Sequence, residues 1–386
     1  MNSDDFPSGE SLGVQSARAK GWADTMGGFA GSHHIVDAHQ ESKIRIFAQD
    51  DFDRPQRERS EDLLNGAAAR SLGAGKRALP EPADPYRGCF EKDRDRILHS
   101  PAFRRLAGKT QVFIFPKDHQ RTRLTHALEV SQVARAISKR LGLNQDLTEA
   151  IALGHDCGHG PGGHASEDAL SIFLEGGYDH ATIGANRILV PLNLCEETLD
   201  GVRNHSWSRP EPATAEGLVV SWADRIAYCA HDLEDAIGAG IVEVSEVPSN
   251  LREAIGVTRS SQLDFFINAM VSCARETGRI AMYQGAAEKL SELRSFNYHA
   301  IYLRPESLRQ SMQVISVLRQ LVEYLASKPD FSRQLLDLPQ LHEDENLLEE
   351  IVIYVGGMTD RYAFAMAREL LGIENERIPI GIDILS

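Results

Sequence analysis

Four residues in this chain are of types and spacings that could assemble a divalent-metal site: His126, the tandem pair His155-Asp156, and Asp224. His126 and His155 lie 29 residues apart, and Asp156 and Asp224 lie 68 apart. Imidazole nitrogen and carboxylate oxygen together suit Mn, Fe, Co, Ni, Zn or Mg. An ion held this way lowers the pKa of a bound water and draws charge from a phosphate, which is the chemistry of phosphate-ester hydrolysis. The loop that follows, HDCGHGPGGH at 155–164, adds His159 and His164 as groups for proton transfer and charge stabilisation. Its glycines and proline cannot continue a helix, so the chain must turn there. If a helix resumes after Gly163, Glu167 stands one turn beyond His164 and can fix its tautomer.

Helices must position these groups. His126, Val130, Val133, Ile137 and Leu141 recur at steps of four and three, one face of a helix that points inward. Gly142 is its stop signal, and Asn144 or Asp146 caps a second helix in which Leu147, Ile151 and His155 share a face. A third helix is expected from about 218 to 237, with Asp224, Tyr228 and Asp232 at intervals of four. A carboxylate on a core-facing position costs several kcal/mol, about 2–7 for a polar group and more for a charge, unless it is paired or metal-bound. One metal accounts for all four residues.

The rest of the chain is read in three parts. Residues 1–84 are rich in Gly, Ser, Asp, Arg and Ala without periodicity, and are expected to be a flexible leader; His33 and His34 within it are read as a solvated pair. Residues 85–245 form the metal-binding body, and 246–386 a helical part packed on it. A short strand is expected at 279–285, and a last helical pair over 344–372, broken at Gly356-Gly357 and restarted by Thr359 or Asp360. No βαβ alternation is visible, so the fold class is mostly α.

Composition limits the partners. The 386 residues carry 41 basic and 56 acidic side chains, a net charge of −15, which disfavours nucleic acid and anionic membranes as general partners. A polyanionic substrate must meet a local basic patch, for which Arg104, Arg105, Lys109, Lys117, Arg121 and Arg123 are candidates. Arg123 and Arg225 stand nearest the proposed ligands. Five scattered cysteines without a CxxC pair argue against a disulfide framework and suit a reducing cytoplasm. No apolar run is long enough to span a bilayer.

Five stretches resemble the HD-domain deoxynucleoside triphosphate triphosphohydrolases of the bacterial dGTPase-like kind: FEKDRDRILHSPAFRRLAGKTQVF at 90–113, RTRLTHALEVSQVAR at 121–135, LTEAIALGHDCGHGPGGHASE at 147–167, WADRIAYCAHDLEDAIGAG at 222–240 and GGMTDRYA at 356–363. The resemblance implies an HD-domain helical fold with additional C-terminal helices, and hydrolysis of a dNTP at its α-phosphate to a deoxynucleoside and tripolyphosphate. It implies His126, His155, Asp156 and Asp224 as metal ligands, with His164, Glu167, His159 and His180 serving the phosphates or the proton transfers. It further implies Tyr228 and Asp232 at the deoxyribose 3′-hydroxyl, Arg123 and Arg225 on sugar and triphosphate, and Arg105 and Leu106 near the base or sugar. A homo-oligomer and an activating nucleotide are family expectations. Two departures stand out: Gly162 replaces the family's usual Phe, removing an aromatic wall and loosening the loop, and Ala181 follows His180 where relatives have Asn. An HD phosphohydrolase acting on another nucleotide, or a nucleotide-binding regulator with reduced activity, are the alternative readings.

Overall fold

The computed structural model describes residues 17–30, 35–40, 43–44, 46, 52–116, 119–338, 344–379 and 381. The chain divides into two units, residues 1–51 and 52–386. In the first, a helix Ala17–Thr25 precedes a two-residue antiparallel pair, Phe29–Ala30 with Val36–Asp37. His33 and His34 lie outside the described residues.

The second unit is built on three helices that bring the candidate ligands together. The helix Arg123–Leu141 starts on Thr122, whose side chain accepts from the Thr125 amide while Thr125 reaches back, and it ends on Gly142 with φ 68°. That left-handed turn closes the last carbonyls and needs a residue without Cβ strain. Its inward stripe is buried as the spacing predicts, through His126, Val130, Val133 and Ile137. Asn144 caps the helix Gln145–Gly154 by accepting from the Asp146 and Leu147 amides. The helix Ala215–Gly238, capped by Thr214, buries Val219, Ala223, Ile226, Ala230 and Leu233. These three pack on one another, with Cys89–His99 against Gln145–Gly154 and Arg259–Thr277 across the other two.

A second apolar cluster forms where Pro305–Ala326, Asp344–Gly356 and Asp360–Leu371 pack with the short helix His164–Leu170. Thr359 is the cap of the last of these helices. The C-terminal helices therefore hold the segment that carries His164 and Glu167.

Two expectations need correction. The segment 52–84 belongs to the unit 52–386, so the flexible leader expected over 1–84 does not include it. Polar contacts anchor it where apolar content could not. Arg77, with its side chain 1% exposed, donates to Asp93, Ala74 O, Cys89 O and Asn193 O. Glu216 accepts from the amides of both Ala69 and Asn144. The second correction concerns 279–285, which forms no strand. Gly278 ends one helix in the left-handed region and Gln284 begins the next, so the short link has no partner to pair with.

The five cysteines are all buried and free. No helix among the described residues is long and apolar enough to cross a membrane.

Candidate active site

His126 lies in the first turns of its helix, His155 and Asp156 at the C-terminal end of theirs, and Asp224 in the middle of the third. Their polar atoms converge. His126 Nε2 stands 3.0 Å from Asp224 Oδ1, and His155 Nε2 stands 3.4 Å from Asp156 Oδ1 and 3.7 Å from Asp224 Oδ1. The ligand atoms of His126, His155 and Asp224 all lie within 4.8 Å of one another, as do those of His155, Asp156 and His205. Four of these five were singled out from spacing; His205 was not.

Hydrogen bonds on the far side of the rings show what this arrangement needs. His155 Nδ1 donates to Ala152 O at 2.7 Å and His205 Nδ1 to Val202 O at 2.8 Å, so both rings turn Nε2 inward; that of His205 stands 3.2 Å from His180 Nε2. The His155 lone pair then faces two carboxylate oxygens and has no hydrogen-bond partner among the described residues. Lone pairs and anions crowded together repel unless a proton or cation lies between them. The mixed nitrogen and oxygen donors, fixed by such outer contacts, fit a divalent first-row metal or Mg.

Asp156 divides its two oxygens. Oδ2 accepts from Arg123 Nη1 at 2.9 Å, while Oδ1 turns toward the histidines. Burial would raise this carboxyl, but Arg123, His155 and His159 hold it well below the usual carboxylate range. Burial is likewise overcome at Asp224, which His126 and His155 hold low. Both are anionic at neutral pH.

The glycine-rich loop places His159 inside. Its ring stacks on that of His180, centroids 3.7 Å apart and planes at 16°. Ligand atoms of Asp156, His159 and His180 also lie within 4.8 Å of one another. Burial and the nearby Arg123 keep His159 neutral, well below its ordinary value. His164 is exposed onto the cavity, and the protein around it together with the nearby Arg123 holds its imidazolium below the ordinary value. Glu167 does not orient His164 as expected. It accepts from the His180 amide at 3.1 Å and pairs with His180 Nδ1, because the helix start turns the carboxylate toward the His180 segment. Burial opposes the charge on both members, but the pairing lowers Glu167 to about 2 and raises His180.

The loop is not loosened by Gly162. Its amide donates to Asp360 Oδ1 at 2.9 Å, and Asp360 Oδ2 accepts from Thr110. At φ 74°, a Cβ on residue 162 would stand 2.6 Å from Val314 Cγ1. Val314 occupies the space into which a side chain at 162 would project.

A cavity of about 1240 Å³ opens over the cluster, lined near its floor by Arg123, His126, Asp156, His164 and Asp224. Arg225, Tyr228, Asp232, Arg294 and Tyr302 form one wall. Tyr302 Oη–H donates to Asp232 Oδ2, and Arg294 Nε donates to Tyr228 Oη at 2.8 Å. Burial pushes Asp232 up to about 7, against the lowering effect of the Tyr302 hydrogen bond.

The remaining sequence candidates fall elsewhere. Arg105 is exposed and Leu106 is fully buried among core side chains, and neither lines the cavity; the neighbouring segment Thr110–Ile114 supplies that wall. Of the basic cluster, Arg123 alone among the described members enters the cavity. Lys109 is buried and donates to His159 O and Gly356 O, Arg121 is held by Glu129, Glu234 and Asp235, and Arg104 is exposed. Lys117 lies outside the described residues. His205, Trp207, Arg294 and Tyr302 are cavity residues that no local spacing announced.

The HD domain model matches residues 123–229, and the phosphohydrolase-associated domain model matches 280–369. A deoxyguanosinetriphosphate triphosphohydrolase-like protein of Caldanaerobacter subterraneus subsp. tengcongensis is 38% identical over 316 residues, 80% of this chain and 92% of that protein. One of the same description from Clostridium perfringens is 40% identical over 75% of this chain and 88% of its own length. The solved structure of a phosphohydrolase from Bacteroides thetaiotaomicron aligns with TM-score 0.45 at 18% identity, over 72% of this chain and 68% of that one.

Proposed function

The chain belongs to the HD-domain family of deoxyguanosinetriphosphate triphosphohydrolase-like proteins, and on that premise we propose that it hydrolyses deoxynucleoside triphosphates to a deoxynucleoside and tripolyphosphate. The observation that carries this reading is the buried ring of inward lone pairs and carboxylates at the floor of a cavity whose walls bear Arg123 and Arg225. His126, His155, Asp156 and Asp224 would hold one divalent ion. Bound there, it would supply a water of lowered pKa and neutralise charge on the α-phosphate.

The chain's own groups provide the rest. Arg123, anchored by Asp156, keeps Nε and Nη2 without partners among the described residues, so both remain available to phosphate oxygens. His164, neutral at pH 7 and open to the cavity, accepts the proton that the attacking water releases. His180, whose imidazolium Glu167 favours against burial, is the group to support the phosphate charge and to supply a proton toward the departing 5′-oxygen; its Nε2 stands 3.2 Å from His205 Nε2, the ring that borders it. The bond that breaks joins the α-phosphorus to that oxygen. Asp232 Oδ1 is buried without a donor, a fitting acceptor for a sugar hydroxyl beside Tyr228.

The test is a product-resolved incubation with each dNTP, singly and mixed, in Mg²⁺ or Mn²⁺. Tripolyphosphate and deoxynucleoside in equal amounts are expected. Inorganic phosphate or a cleaved diester in their place would assign another HD phosphohydrolase activity, and binding without any turnover would make the protein a regulator.

A further inference from the structure

The arginines around the cluster are held in different ways. Arg121 is surrounded by Glu129, Glu234 and Asp235, and Arg123 donates to Asp156. Arg225 follows Asp224 directly and lines the cavity, yet no carboxylate among the described residues pairs with it, and its buried Nε has no hydrogen-bond partner. What holds it is an aromatic face: the guanidinium carbon lies 3.6 Å from the centre of the Trp207 ring.

Trp207 is itself fixed. Its indole N–H donates to Ser221 O at 3.2 Å, one turn before Arg225 on the same helix, and Trp222 meets it edge-on at 4.6 Å. It is nevertheless 46% exposed and lines the cavity. A large indole left so open in a cavity wall calls for a role beyond core packing.

We infer that Trp207 is a positioning residue that presents Arg225 to the polyphosphate chain of the substrate. The inference rests on the phosphoester reading of this site and deepens it. A carboxylate partner would occupy the N–H edge of the guanidinium and cancel its charge. Stacking occupies the face instead, leaving the planar fork of donors free for bidentate contact with phosphate oxygens. The stack also holds a rotamer-rich side chain in place before the ligand arrives, which lowers the ordering cost of binding.

The experiment is a double-mutant cycle with inorganic tripolyphosphate and Mg²⁺ as the probe, followed by titration calorimetry. Trp207→Ala and Arg225→Ala are each expected to weaken binding on the order of ten-fold, the range of a partly desolvated cation–π contact. The double variant should be no weaker than Arg225→Ala within about two-fold, because Trp207 acts only through Arg225. Trp207→Phe, which keeps an aromatic face, should recover most of the loss and also separates stacking from a folding defect. The inference fails if the two losses multiply in the double variant, if Phe is as weak as Ala, or if Trp207→Ala binds normally. Should the cycle behave as expected while no dNTP is hydrolysed, the substrate proposal falls and the Trp207 assignment stands; no binding by the unaltered protein would overturn the assignment.

Discussion

Replacing Arg123 with Met tests how the site balances charge. Arg123 is 2% exposed and its Nη1 lies 2.9 Å from Asp156 Oδ2. At an effective dielectric of about 20, two unit charges at that distance attract by roughly 6 kcal/mol. Removing one partner of a buried pair typically costs about 3–5 kcal/mol, because the remaining charge is left uncompensated. Met keeps an unbranched stem while deleting the cation. In EDTA the variant should therefore lose about 3–5 kcal/mol, read from urea unfolding followed by circular dichroism. In saturating Mn²⁺ the loss should shrink by about 1–2 kcal/mol, since an ion on the Oδ1 side of Asp156 supplies opposing charge. Linkage then requires Mn²⁺ to bind the variant roughly five- to thirty-fold more tightly, which calorimetry measures directly. Equal losses with and without Mn²⁺, together with unchanged Mn²⁺ affinity, would refute the assignment of Asp156 to the ion.

Three further outcomes follow from the geometry. Gly162→Ala should cost about 2–5 kcal/mol, from a left-handed backbone with a Cβ and from collision with Val314, and Val314→Ala should restore part of it; an unchanged Tm for the single variant would count against the pinned loop. For Asp232, burial raises the folded pKa to about 7 from the ordinary carboxylate value near 4, so its contribution is intact below pH 4 and is lost as pH rises toward 7. Asp232→Asn should accordingly gain on the order of 4 kcal/mol relative to the unaltered protein between those limits in EDTA, and a pH-independent difference in urea midpoints would contradict it. Glu167→Gln should lower the His180 imidazolium pKa observed by NMR, whereas in the unaltered protein the Glu167 contribution is present above its ordinary pKa and is lost as pH falls toward about 2. A His180 titration unmoved by the change would show that the pair is not what holds its charge.

Much of the site was legible along the chain because helical phase and caps are local. Val130, Val133 and Ile137 announced the inward face that carries His126, Gly142 and Asn144 marked the turn between two helices, and an acid at Asp224 on a buried stripe demanded a partner. The loop histidines were legible as well, since glycine and proline forced the turn that displays them. Other features depended on contacts that helical periodicity does not encode. His205 turns its Nε2 inward only because Val202 O holds the opposite nitrogen, and Glu167 chooses His180 over His164 because folding brings Asp179–Ile183 alongside. The segment 52–84 looked too poor in apolar residues to fold, yet Arg77 and Glu216 bind it through buried polar contacts that hydrophobic periodicity does not encode. Gly162 by residue type alone implies a loosened loop, whereas the Asp360 carboxylate and Val314, far along the chain, hold that position. Periodicity along one helix tells which way a side chain points, whereas the partner it meets there is decided by packing between helices.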